Sequence, residues 1–239
     1  MSKAPVYFFS HGGPTFMYQS DEDPTTDSGA FRALRKIGKE IVEEIKPSAV
    51  IVLSAHWQTG RESVEVNAGE LTELIYDFYG FPDHMYREKY PSVGSRELAS
   101  KVVEVLGASG IKALPTKRGL DHGVWVPFKV AFPPGQELKV PVVQLSLFGN
   151  ESPERHIALG RALAPLRDEN VVIIGSGMTV HNLRDMFQTL GRKVPYAKRF
   201  DDALAAAVTT STGEEREAAM IKLFGTSDIH HAHPTKEHL

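Results

Sequence analysis

Five short apolar runs constrain this chain more than any other feature: Val6–Ser10, Val50–Ser54, Ile111–Leu114, Val140–Leu145 and Val171–Ile174. They are rich in β-branched and aromatic residues and show no polar alternation, the pattern of strands buried on both faces of a parallel sheet. Ser63–Val66 adds a candidate edge strand. Helical spacing fills the intervals. Phe31, Leu34, Ile37, Ile41, Val42 and Ile45 recur every three or four residues and stop before Pro47. Ser95 is placed to cap a helix carrying Leu98, Val102, Val105 and Leu106 that ends near Gly107 and Gly110. Ser152 followed by Pro153 opens another over Ile157–Leu166, and two more are expected over Tyr196–Thr209 and Gly213–Phe224. Alternating strands and helices imply an α/β fold of three layers, with a mostly parallel central sheet and helices on both faces. With no internal repeat and no linker-like stretch in 239 residues, one domain spanning 1–239 is expected.

Charge and residue usage remove several function classes. Lys and Arg total 27 against 30 Asp and Glu, so there is no basic field to hold a phosphate backbone, and no nucleic-acid partner is expected. Cysteine is absent, which excludes disulfides, thiolate zinc sites, iron–sulfur clusters and cysteine nucleophiles. Any bound metal must be held by nitrogen and oxygen. The longest clean apolar runs, Ala49–Leu53 and Val171–Ile174, fall far short of the ~20 residues of a membrane helix. Met1–Ser10 has no extended apolar stretch of the kind a secretion signal needs. A cytoplasmic protein without a membrane partner is therefore expected.

The ten histidines are unevenly placed. His11 follows the first strand, His56 the second, His122 sits in the loop after the third and His181 comes soon after the last. In an open parallel sheet, ligands bind outside the carboxyl ends of the strands, where loops from several strands converge. One histidine after a strand is ordinarily a loop residue bonded to backbone; four at one sheet edge form a candidate site. Imidazole binds iron, zinc, copper and nickel, and it titrates near neutral pH, so such a cluster suits both metal binding and proton transfer. His84 and His156 lack this placement and read as surface or packing residues. His230, His231, His233 and His238 lie in the last ten residues, either in a polar tail or, given the rigid Pro234 and a capping Thr235, in a loop folded back onto the site.

Other motifs are incomplete. Gly175-x-Gly177 lacks the third glycine of a dinucleotide fingerprint, and no phosphate-binding G-x-x-x-x-G-K-[ST] occurs. His11-Gly12-Gly13 is similar to the oxyanion turn of esterases, yet no G-x-S-x-G supplies a nucleophile, and H-E-x-x-H is absent.

Five segments together resemble one family: Ser10-His11-Gly12-Gly13-Pro14, Ser54-Ala55-His56-Trp57, Gly119-Leu120-Asp121-His122-Gly123-Val124-Trp125-Val126-Pro127, Gly175-Ser176-Gly177-Met178-Thr179-Val180-His181-Asn182 and His233-Pro234-Thr235-Lys236-Glu237-His238. In this order they resemble the 4,5-DOPA dioxygenase branch of the class III extradiol ring-cleavage dioxygenases. The resemblance implies a catalytic domain similar to the β subunit of protocatechuate 4,5-dioxygenase. It would hold non-haem iron(II), Fe2+, at the sheet's carboxyl edge and open a catechol, an L-DOPA-like aromatic diol, with O2. Some relatives are described with zinc, Zn2+, in the same site. Carried over by position, His11 and His56 resemble metal ligands and His233 a third, with Glu237 the nearest carboxylate alternative. His181 resembles the acid/base histidine or a fourth ligand, and His122 a second pocket histidine.

Around these residues Asp121 is a candidate partner for His122 or a neighbouring imidazole, or else a helix-cap or turn aspartate. Trp57, Trp125, Phe128 and Tyr18 are candidates for an aromatic wall, or plain core. Arg61, Arg118 and Arg184 lie close enough in sequence to site histidines to pair a substrate carboxylate, or sit on the surface. Two other functions fit the same histidines: a zinc hydrolase with a metal-bound water, and a non-catalytic protein that keeps the fold as an interaction surface. The residues leave the oligomeric state open.

Overall fold

The five apolar runs all become strands of one sheet, three of them inner and two, those at Val6–Ser10 and Lys112–Thr116, at its edges. The computed structural model describes residues 3–19, 29–189, 192–209 and 212–239. In chain order the elements are β1 (Val6–Ser10), α1 (Gly29–Glu40), β2 (Ala49–Thr59), β3 (Ser63–Asn67), α2 (Arg96–Ala108), β4 (Lys112–Thr116), α3 (His122–Ala131), β5 (Val142–Phe148), α4 (Pro153–Leu163), β6 (Val171–Gly177), α5 (Leu183–Gln188), α6 (Pro195–Thr209), α7 (Gly213–Phe224) and α8 (Ser227–Ala232). The six strands lie in the order β1-β6-β2-β5-β3-β4, parallel except where β3 meets β5. The expected layers and mostly parallel sheet are therefore present. Ser63–Val66 is not at the edge, as the sequence suggests, but between β5 and β4. Among the described residues, no helix is long and apolar enough to cross a membrane.

Alternate residues of the central strands feed two cores. Val50, Val52, Val172 and Ile174 pack with Phe9, Ile41, Trp125 and Phe128 beneath α1 and α3. Ile51, Val143, Leu145 and Ile173 pack on the other face with Leu98, Val102 and Leu106 of α2 and Leu159 and Leu163 of α4. Each such side chain contributes roughly 1.5–3 kcal/mol when fully buried, so the sheet is a firm base for the loops at its edge. Helix ends follow sequence chemistry: Ser95 Oγ accepts the Leu98 N–H at 3.1 Å and Ser152 Oγ that of Arg155 at 3.3 Å. The first helical run closes through a π turn, Ile41–Ile45, with Lys46 in the left-handed region just before Pro47.

Two departures from the sequence reading shape the site. β2 runs on through His56 and Trp57 to Thr59, but its pairing with β5 breaks between Leu53 and Gln58, which face Leu145 and Leu147. Residues 54–57 thus bulge out of the ladder, and His56 lies in a bulge rather than beyond a strand end. Secondly, the last residues are folded onto the carboxyl end of β6. The Met178 N–H donates to the His238 carbonyl at 2.8 Å, and the His181 N–H to the Ala232 carbonyl at 2.8 Å. Asn182 Nδ2 donates to the His231 carbonyl at 2.7 Å. Of the two readings of the histidine-rich end, the folded loop is the one found.

Gly177 permits this docking, because a Cβ there would run into the His238 carbonyl. Gly177→Ala is expected to free the C-terminal segment while leaving the sheet intact. Limited proteolysis should show early cleavage after residue 225 with a stable large fragment; unchanged resistance in that segment would contradict this packing.

Candidate metal centre

Two strands, with β6 between them, and one helix bring three imidazoles together. β1 delivers His11, the β2 bulge His56 and the start of α3 His122, and their donor nitrogens all lie within 4.8 Å of one another. A second group, His181, Glu237 and His238, abuts the first. The His238 ring centroid is 5.3 Å from that of His11 and 5.0 Å from that of His56, and it stacks on His181 at 3.5 Å. His11, His122 and His238 are buried. Gly123 makes room: a Cβ there would stand 2.6 Å from Ser54 Oγ and 2.8 Å from His56 Cδ2.

Hydrogen bonding settles which nitrogens are bare. Ser176 Oγ donates its one proton to the Gly123 carbonyl, so it accepts from His11 Nδ1 at 3.1 Å. His11 Nε2 is then an unprotonated acceptor. His56 Nδ1 faces the Asp77 carboxylate at 3.4 Å, which favours the proton on Nδ1 and again leaves Nε2 bare. These two Nε2 atoms stand 3.1 Å apart. Two lone pairs aimed at each other repel unless a proton or a cation lies between them. His238 repeats the motif: Nδ1 is 2.9 Å from Glu237 Oε1, and Nε2 is buried with no hydrogen-bond partner. Carboxylate or hydroxyl behind, bare nitrogen in front, is how proteins present imidazole to a metal. The donor set thus fits a divalent ion that accepts nitrogen ligands.

Burial and mutual repulsion hold His11, His56 and His181 below the ordinary histidine value. His11 is held well below the ordinary histidine value, by burial first and then by the neighbouring imidazoles. Burial and His122 push His56 down to about 3 against the opposing pull of Asp77, and burial and His238 push His181 down to about 4. Burial raises the Asp77 carboxyl, but the His122 side chain, its backbone N–H and His56 outweigh it, so Asp77 lies below its usual value. Burial likewise opposes, and His238 outweighs, in Glu237, which falls to about 2.

Several expected placements are revised. His233 does not join His11 and His56: its Nε2 donates to the Thr179 carbonyl at 2.9 Å and its ring packs on Phe200. It is the last residue of α8's cap, and the chain turning through Pro234 swings His238, not His233, into the cluster. Glu237 is hydrogen-bonded to His238 and stands behind it. Asp121 does not touch His122; Asp77 does, accepting the His122 N–H at 2.9 Å and lying 2.9 Å from His122 Nδ1. Trp125 and Phe128 are fully buried core, and the Trp125 indole donates to the Ile75 carbonyl at 3.0 Å. The aromatic edge at the site is Phe78, 5.7 Å from His122. Arg118 is committed to Asp121 and to the Trp57 face, so it does not serve a substrate carboxylate. His156 is a packing residue as expected, accepting the Phe148 N–H at 3.1 Å.

Asp77 and His238 were not singled out by sequence reading. A lone carboxylate among Tyr76, Phe78, Tyr79 and Phe81 is the only local signal for the first, and the second half of His233-Pro234-Thr235-Lys236-Glu237-His238 for the other.

Comparison with known proteins agrees with this geometry. The family described as the catalytic LigB subunit of aromatic ring-opening dioxygenase matches residues 5–223. A 4,5-DOPA dioxygenase extradiol of Beta vulgaris is 38% identical over 235 residues, covering 98% of this chain and 82% of its own. One of Escherichia coli strain K12 is 31% identical over 238 residues, covering 99% and 82%. The crystal structure of an uncharacterised Escherichia coli K12 protein superposes with a TM-score of 0.75 at 30% identity, over 99% of this chain and 85% of that one.

Because His11, His56 and His181 hold depressed values, the unfolded chain takes up more protons than the folded one between about pH 6.5 and about pH 4. The metal-free protein is therefore expected to lose stability as pH falls through this window, and the loss should shrink when His56 and His181 are both replaced by Gln. Thermal unfolding at half-unit pH steps measures it; a flat profile from pH 6.5 to 4 would contradict neutral buried imidazoles.

Proposed function

The chain belongs to the family of the catalytic LigB subunit of aromatic ring-opening dioxygenases, and from that premise we propose how its residues divide the work. It is an extradiol ring-cleavage dioxygenase, a metal-dependent enzyme that takes an aromatic substrate and O2. Neither a zinc hydrolase nor a non-catalytic role is favoured by these relationships. The finer assignments are ours: the metal is iron(II), the substrate is a catechol of the L-DOPA kind, and His11, His56 and His238 hold the ion. The observation that carries the reading is the pair of bare Nε2 atoms of His11 and His56, 3.1 Å apart, beside the bare buried Nε2 of His238.

Held by His11, His56 and His238, iron(II) would supply a Lewis acid that makes the diol easier to deprotonate and the redox chemistry that activates O2. The chain's residues do the rest. Imidazole ligands from His11, His56 and His238 carry no negative charge and would leave a bound divalent ion its full charge. His181, kept neutral down to about pH 4, is free at pH 7 to accept a hydroxyl proton as the diol binds. Once protonated it is an acid beside the ring and can return the proton to oxygen when the C–C bond next to the hydroxyl breaks. His122 serves as the second proton-handling group. Its backbone and Nδ1 are both fixed on Asp77, whose negative charge offsets an imidazolium there. Phe78, edge-on to His122, keeps water from that side. Both reactants then meet in a dry, oriented pocket, where local concentration replaces a three-body encounter.

Oxygen uptake by anaerobically iron(II)-loaded protein, with catechols including L-DOPA, tests the assignment. The unsubstituted protein is expected to consume one O2 per ring and give a yellow ring-opened product. His11→Ala and His238→Ala should lose bound iron and turnover together. His181→Ala and His122→Ala should keep iron and lose on the order of 100-fold or more in kcat. Iron retained by His238→Ala but lost from His122→Ala would move the third ligand to His122. No uptake by iron-loaded protein on any catechol would contradict the catechol assignment.

A further inference from the structure

A second buried carboxylate lies by the cluster, and no step above uses it. Asp121 is fully buried, and its carboxylate is hydrogen-bonded to Ser54, Arg118 and Gln144 rather than to an imidazole among the described residues. Its Oδ1 accepts from Ser54 Oγ at 2.6 Å, and its Oδ2 accepts from Arg118 Nη1 at 2.8 Å and Gln144 Nε2 at 2.5 Å. Both first-named partners turn back to one residue. The His56 N–H donates to Ser54 Oγ at 3.2 Å, and Arg118 Nη2 donates to the His56 carbonyl at 3.3 Å. His56 sits where pairing with β5 is broken and beyond the last β6 pair at Ser54, and its two backbone groups are met by side chains. One carboxylate, through two intermediaries, holds both.

Asp121 also fixes the neighbouring imidazole covalently. It precedes His122, and its carbonyl accepts the Val124 and Trp125 N–H groups at 2.9 and 3.1 Å, setting the start of α3. His56 and His122 therefore share one anchor.

Stability alone does not account for this arrangement. A buried ion pair is often no better for stability than apolar side chains of equal volume, whereas loss of one partner leaves the other charge uncompensated. Three donors converge on its two oxygens, and an amide in this place would lose the negative charge that faces Arg118 and could receive Ser54 only by reversing that hydrogen bond. What the pair provides is one fixed geometry for an irregular stretch of backbone carrying a metal-facing imidazole.

We propose that Asp121 is a positioning residue for the metal centre, acting through Ser54 and Arg118 on the backbone of the His56 bulge. This rests on the reading of His56 as a ligand. Cobalt(II) titration of the metal-free full-length protein, followed by its visible d–d absorption, tests it without reference to turnover. Asp121→Asn is expected to bind cobalt roughly 10- to 100-fold more weakly, with altered bands. Ser54→Ala and Arg118→Gln, each removing one arm, should move in the same direction by less. Val102→Ala, buried on the far face of the sheet, should lower thermal stability and leave cobalt affinity and spectrum unchanged. Parental affinity and spectrum in Asp121→Asn, or a loss no larger than in Val102→Ala, would overturn the proposal. If Asp121→Asn does not fold, unchanged cobalt binding in both single-arm variants overturns it equally. Failure of the unsubstituted protein to bind cobalt would instead overturn the metal centre itself, and this proposal with it.

Discussion

Two imidazole lone pairs facing each other across 3.1 Å are a cost that a folded chain does not keep without a cation to share. The rest of the structure is organised around holding that arrangement in place. Ser176 faces the Nδ1 of His11 and Asp77 that of His56, which favours the proton on Nδ1 and the lone pair on Nε2 in both rings. Glu237 does the same for His238. These partners come from β6, from the segment after β3 and from the C-terminal end, so the tautomers are determined by the whole fold.

The sheet makes this tolerable. β6 and β2 are buried on both faces by apolar side chains, and their stability does not depend on the residues at their carboxyl ends. The irregular features then collect at one edge: a bulge at His56, a helix starting at His122 and a chain end packed on Gly177. Each gives up regular hydrogen bonds and recovers them from side chains. Stability and chemistry occupy different layers of the same element, as expected where a polar site must be precise and the scaffold need only be apolar and well packed.

Much of this was legible in the residues, for identifiable reasons. Val171–Ile174 marks a strand covered on both faces, Val6–Ser10 reads as a strand by its β-branched and aromatic residues although it lies at the edge with Val6 and Phe8 exposed, and Ser95 and Ser152 mark helix starts by local hydrogen bonding. His11, His56 and His181 were visible because β1, β2 and β6 run parallel and end at the same edge, whereas His122 follows β4, which runs the other way, and reaches the site at the start of α3. α3 was not visible as a helix: Val124, Trp125, Val126, Phe128 and Val130 are buried all round, so no polar face gives it a 3.6-residue period. The bulge at His56 depends on β5, far away in sequence. The choice of His238 over His233 depends on how the chain turns at Pro234, and Asp77 acquires meaning only from two histidines that folding brings to it. Long-range partners, not local propensity, make up the unread part.

X-ray absorption of the anaerobic iron(II)-loaded protein addresses the central claim most directly, because imidazole rings give a multiple-scattering signature that counts them. The expected spectrum has nitrogen-dominated first-shell scattering with three imidazoles, reduced to two in His238→Ala reconstituted at high iron concentration. A shell dominated by oxygen with one imidazole or none would contradict the account.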